Sequence, residues 1–207
     1  MIIDFHTHRY QTAEGVLVPR SFGIHPWQTS LLTEEDLPRL RQALTEGCRQ
    51  SSIAMVGECG LDRLRGASLP FQKAVFELHL QVAEQLGKPV VVHCVRCMDE
   101  LVELRKRQQW HMPWAVHGFH GSPQQAEQLW RLGIACSFGS VILRQQHSKT
   151  IEALQMLGKG RVFLETDDAD CSIGDIYDAA AEWLHVGRPE LEEAIISNYH
   201  RFVNQEQ

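Results

Sequence analysis

The chain lacks any apolar stretch near the roughly 18 residues of a membrane span. Its first residues pass straight into an apolar strand with His6 and His8 behind it, not through the basic, apolar and small-residue order of a signal peptide. It also lacks an excess of positive charge: 20 Lys and Arg against 26 Asp and Glu leave a net charge of −6, so no global field draws it to nucleic acid or anionic lipid. A phosphate-bearing substrate must then be held locally, by metal or by a few basic groups. No repeat, low-complexity tract or Pro/Gly/Ser-rich linker interrupts the sequence, which predicts one domain over residues 1–207. The six cysteines are scattered, several in apolar strand-like runs. Cys94 and Cys97 have no second pair at zinc spacing, so a reducing cytoplasm is expected rather than a disulfide frame or a structural zinc.

What is present is an alternation of strand and helix signals. Residues 2–5, Val16 to Ile24, 53–57, Pro89 to Val92, Trp114 to Val116, 134–138 and 162–165 read as strands, seven in all. The Val-rich continuity of the fourth suits a strand buried on both faces of a parallel sheet. Thr33 and Asp36 form a cap signature before Leu37, Leu40 and Leu44, with Gly47 as the stop. A longer helix carries Phe71, Val75, Leu78, Val82 and Leu86 on one face until Gly87 and Pro89. Ser122-Pro123 opens another, closed by Gly133, and two terminal helices are expected near 173–185 and 189–203.

Five apolar runs end on side chains of metal-ligand type: MIIDF on His6 and His8, SIAMVG on Glu58, PVVV on His93, WAV on His117 and RVFLET on Asp167. Strand side chains alternate faces, so His6 and His8 point the same way and can grip one ion or bracket a pair. Any one of these histidines is ordinary. Six N and O donors of mixed type at five strand ends match what a two-ion hydrolytic site needs, in the layout of an α/β barrel metallohydrolase.

The strings IDFHTH, FGIHPW, VGECGLD, PVVVHC, VHGFHGS, FLETD and, closing the chain, ISNYHRF resemble the successive signatures of the TatD-related metal-dependent hydrolases, over nearly the whole length. The resemblance implies an α/β, TIM-barrel-like metallohydrolase fold, here irregular with seven parallel strands. It further implies a divalent metal site, of two Zn, Mg or Mn ions, and nuclease activity on DNA ends. Carried over by position, it makes His6, His8, Glu58, His93, His117 and Asp167 the ligands, with Glu58 bridging, and His25 a substrate contact or the shaper of a turn before Pro26. Asp167 is then the expected general base, and Arg96 the expected phosphate contact.

The chain departs from the pattern at Arg9-Tyr10, at Val95 where a basic residue is usual, at His120, and at Asp168-Ala169-Asp170. The short His8–His25 interval predicts one βα unit fewer than usual. Glu165 shares the pleat direction of Asp167, which leaves open a supporting role behind the site or a salt bridge at the rim. Arg9, Arg63, Arg65 and Arg96 are the basic residues expected nearest the site, and Trp27 the aromatic one. A small phosphoester or cyclic amide remains an alternative substrate, and a non-catalytic metal-binding barrel an alternative to an enzyme.

Overall fold

The computed structural model describes residues 1–9, 13–107, 110–144 and 148–205. Tyr10 lies outside the described residues. In chain order the strands are β1 (Ile2–Ile3), β2 (Val16–Leu17), β3 (Ser21–Phe22), β4 (Met55–Asp62), β5 (Val90–Val95), β6 (Trp114–Val116), β7 (Ile134–Phe138) and β8 (Val162–Leu164). The helices are α1 (Leu37–Arg49), α2 (Leu69–Leu86), α3 (Met98–Arg107), α4 (Pro123–Arg131), α5 (Lys149–Leu157), α6 (Ile173–Leu184) and α7 (Arg188–Asn204). The chain divides into two compact units, one of residues 1–19 with 117–207 and the other of residues 20–116.

The α/β class with parallel strands is as expected, but the Val16–Ile24 run is two strands, so the described residues carry eight and not seven. Pro19, which has no N–H to give a ladder, separates them. In the first unit β1 pairs in parallel with β2, and β7 with β8. The extension of β1 continues onto the end of β8: the Phe5 N–H donates to Leu164 O at 2.9 Å, and Thr7 forms a parallel bridge with Asp167. Phe5 stacks on Phe163 at 4.2 Å and meets Phe202 of α7 edge-on at 5.6 Å, which locks the helix over both strands. Asn198, in the ISNYHRF string, donates to Lys159 O and Val162 O at 2.8 and 2.9 Å and so fixes the entry into β8.

In the second unit the order is β3-β4-β5-β6, all parallel. Val90, Val91 and Val92 are fully buried, as a strand inside a covered sheet requires. Register slips by one residue between Val56 and Cys59, a bulge that holds Glu58. Glu58 was expected at a strand end, but β4 runs four residues further, to Asp62, because Gly60 lets it hug β5. A Cβ at Gly60, whose φ is +141°, would sit 2.1 Å from His93 O.

Helix α1 passes through its expected stop at Gly47, a residue that is glycine for a different reason: the Phe22 ring occupies the space a Cβ would need. The buried face of α2 is also rotated from the expected one. It includes Gln72, Phe76, His79 and Leu80, while Phe71, Leu78 and Leu86 are only partly covered. Hydrophobicity alone points away from Gln72 and His79, yet both are buried because each satisfies backbone groups. Gln72 bridges Asp62 N–H and the carbonyls of Asp62, Arg65 and Ala67, and His79 accepts from the Ile24 N–H at 2.9 Å. Helices α3 and α5 carried no expectation, whereas α4 has the Ser122 cap and the Gly133 end that the sequence predicts.

Candidate metal centre

The first unit gathers His6, His8, His117 and Asp167. His6 is buried and His8 exposed, with their rings 5.0 Å apart and the His117 ring 4.6 Å from His6. Asp167 Oδ1 lies 3.4 Å from His8 Nε2 and 3.9 Å from His6 Nε2, and ligand atoms of His6, His117 and Asp167 fall within 4.8 Å of one another. Backbone bonds hold Asp167 there: its N–H donates to His6 O and its carbonyl accepts from the His8 N–H, each at 3.0 Å. Its φ of 52° turns the chain sharply at that point.

Behind these donors lies a polar layer that the motifs did not single out. Buried Asp4 accepts from the Thr166 N–H at 2.9 Å and lies 2.6 Å from its hydroxyl; Thr166 meets Thr7 Oγ1 at 2.9 Å, and Thr7 donates to Asp167 O at 3.1 Å. Burial raises Asp4 to about 6 in spite of the Thr166 bonds. Glu165 is fully buried, accepts from the Gly118 N–H and lies 3.7 Å from His117 Nδ1. Burial works against its charge, but His117, His6 and Ser137 together hold its carboxyl below the usual range. A carboxylate in that place orients an imidazole ligand, which favours the supporting role over a rim salt bridge. His120 joins neither donor group among the described residues.

The second unit gathers Glu58, His93 and His25. His93 Nε2 lies 3.2 Å from Asp62 Oδ2, and His93 Nδ1 lies 2.8 Å from Glu58 Oε1. Asp62 is held below its ordinary range: burial would raise it, but the Trp27 indole N–H at 2.6 Å, the Leu64 N–H and His93 outweigh that. An ionised Asp62 places the His93 proton on Nε2 and leaves a lone pair on Nδ1. The two acceptor atoms face each other at 2.8 Å, with His25 Nε2 at 3.0 Å from Glu58 Oε1 and 3.3 Å from His93 Nδ1. At metal–ligand bonds of about 2.1 Å, ligands at a right angle sit about 3 Å apart, so this pair fits a small divalent ion.

His25 differs. Its Nδ1 accepts the Trp27 N–H at 3.1 Å, so its proton resides on Nε2, which points at Glu58 Oε1 at 3.0 Å. A neutral imidazole bonded in that way donates from Nε2 instead of ligating a metal, which suits a contact to a phosphate oxygen and does not suit a turn-shaping role alone.

Of the four arginines expected nearest the site, Arg9 is paired with Asp170 at 2.7 Å and Arg63 with Glu100. Arg65 lies over the Trp27 ring, 4.3 Å from its centroid, and Arg96 is exposed on the turn after β5 with φ 52°. Neither Arg65 nor Arg96 has a carboxylate partner among the described residues. All six cysteines are free, and no helix among the described residues is long and apolar enough to cross a membrane.

Comparison with known proteins shows the family to which the chain belongs. The family model for TatD related DNase matches residues 6–204. A metal-dependent hydrolase of Escherichia coli K12, YjjV, is 34% identical over 152 residues, 72% of this chain and 58% of that protein. The 3′-5′ ssDNA/RNA exonuclease TatD of Edwardsiella piscicida is 32% identical over 148 residues, 70% of this chain and 55% of its own length. The crystal structure of YjjV superposes with a TM-score of 0.77 at 26% identity, covering 93% of this chain and 78% of that one. In sequence, the chain thus spans little more than half the length of these two relatives.

Proposed function

Because this chain belongs to the TatD-related DNase family of metal-dependent hydrolases, we propose that it cleaves phosphodiester bonds at the ends of short single strands, using divalent ions held by His6, His8, His117 and Asp167 and by Glu58 and His93. The observation that carries this reading is the opposition of His93 Nδ1 and Glu58 Oε1 at 2.8 Å, with Asp62 fixing the ring behind them. The donor set, imidazole and carboxylate without thiolate, suits Zn, Mn or Mg. Residues 1–207 are taken as one catalytic domain, since the family model runs through both units. The free cysteines accord with a reducing cytoplasm.

A bound ion would supply Lewis acidity toward a phosphoryl oxygen and acidify an attacking water. The protein's own groups do the rest. Asp167, partly open to solvent beside His8, is the carboxylate that would serve as general base. His25 donates from Nε2 to a phosphate oxygen, while Arg65 and Arg96 meet the flanking negative charge. Glu165 and Asp62 keep His117 and His93 aimed.

A second reading, hydrolysis of a small phosphoester, draws on the pairing of Arg9 and Arg63, which leaves few cations for a long polyanion. Cleavage of a 3′-hydroxyl single strand of DNA, its RNA counterpart and a small chromogenic phosphoester should be compared under one metal condition. Faster turnover of either strand supports the proposal. Turnover of the small ester alone would replace it with the second reading.

A further inference from the structure

Trp27 is a large apolar side chain left 44% exposed, yet hydrogen bonds hold both its backbone and its ring. It sits in a short 3-10 turn, Pro26–Leu31, whose start is tied reciprocally: His25 Nδ1 accepts the Trp27 N–H at 3.1 Å and the Gln28 side chain accepts the His25 N–H at 3.0 Å. The indole N–H is bound to Asp62 Oδ2 at 2.6 Å. Thr29 Oγ1 donates to Pro26 O at 2.5 Å and accepts the Ala67 N–H at 2.9 Å, which ties the turn to the loop that carries Arg65. Arg65 itself lies over the ring. A core indole would be covered, and a merely tolerated surface indole would not be fixed at its backbone, its ring nitrogen and its neighbouring loop.

The surroundings specify a ligand. The Trp27 ring centroid is 4.7 Å from that of His25 and 6.1 Å from that of His93, so it stands beside the Glu58–His93 pair. A separation of 6.1 Å is under two nucleotide steps of about 3.4 Å each. A planar base resting on the indole would therefore lie within two nucleotide steps of His25 and the metal donors. Arg65, exposed and with no carboxylate partner among the described residues, adds a guanidinium 4.3 Å from the ring centroid whose N–H groups can bond phosphate. Aromatic stacking accepts every base, which suits removal of nucleotides irrespective of sequence.

We propose that Trp27 with Arg65 forms a stacking subsite for the terminal nucleobase of a single strand, setting which end of the strand reaches the metal donors. This rests on the phosphodiesterase reading above. It calls for no ordering of the indole on binding, because the turn already fixes it.

The test is equilibrium binding in EDTA, without turnover, of two fluorescent single strands that differ only in a 3′-terminal adenine or a 3′-terminal abasic sugar. The proteins are wild type, Trp27→Phe and Trp27→Leu, each checked for an intact thermal transition. Wild type should prefer the adenine end by about tenfold, from the stacking of one base. Trp27→Phe should keep most of that preference, and Trp27→Leu should lose it. Because the readout is a ratio between two strands, a general loss of affinity through the Asp62 bond cancels. No preference in wild type, or a full preference surviving in Trp27→Leu, would overturn the subsite. If the preference holds and metal-supplied protein still cleaves no strand, the subsite stands as a binding site and the hydrolytic reading falls.

Discussion

Asp62 matters at the scale of single residues because it decides where the His93 proton sits. Replacing it with Ala should weaken divalent metal affinity about 10- to 100-fold, the usual cost of removing a carboxylate behind a metal-ligating histidine. Isothermal titration with Mn or Zn measures this, and an unchanged affinity would mean that His93 does not ligate. Glu58→Gln should remove metal retention more completely, since an amide oxygen lacks the charge that the carboxylate offers a cation beside His93 Nδ1. Asp167→Asn should lower kcat by about 10²- to 10⁴-fold while leaving the melting temperature nearly in place, as loss of a general base does. The ligand-type residues were legible because each ends or interrupts an apolar run. Asp4, Thr7, Asp62 and Thr166 were not, because a polar residue gives no periodic signal when its partner lies far off in sequence, as Asp4 and Thr166 do. Only the parity of Asp62 with Glu58 along β4 hinted at a shared face. The tautomer of His25 was beyond reach of the motif, since it follows from the fold of the Pro26–Leu31 turn.

Elements were readable where composition and caps agreed. Helix α4, opened by Ser122-Pro123, and β7 at Ile134–Phe138 fall where the sequence predicts. The rotated face of α2 has one cause: buried polar groups that bond backbone. His79 shows it best, with Nδ1 donating to Val75 O at 2.8 Å and Nε2 accepting from the Ile24 N–H at 2.9 Å, so the neutral ring uses both nitrogens. Burial lowers it to about 4. Above pH 6.5 the ring is neutral folded and unfolded, and no stability is at stake. As pH falls from 6.5 through about 4, the unfolded chain takes up a proton that the folded one refuses, and roughly 3 kcal/mol is lost. Urea melts of metal-free protein across this range should show that loss, and His79→Gln, which keeps a donor and an acceptor, should flatten it. An identical pH slope in the variant would contradict the assignment. Gly60→Ala should destabilise the β4–β5 pairing beside the metal donors, for its Cβ would strike the His93 carbonyl; a variant as stable as wild type would show that the strands can part without cost.

For the whole molecule, the balance of charge sets how DNA is met. With a net charge of −6 and two of the four candidate arginines already paired, few counterions are released on binding. Affinity for a long single strand should therefore be weak and should change little with salt; steep, length-dependent salt sensitivity would point instead to an extended cationic groove. The family and the parallel α/β class were legible because the motifs recur in order along residues 6–204, whereas the division into two compact units was not, since no linker composition marks Pro19 or His117. The central claim is that divalent ions on these histidines and carboxylates drive phosphodiester cleavage. The most direct measurement follows a 5′-labelled single strand with EDTA-stripped protein, before and after stepwise return of Mg, Mn or Zn. The account predicts no cleavage in EDTA and progressively shorter products once metal is restored. Cleavage that persists in EDTA, or none with any of the three ions, would contradict it.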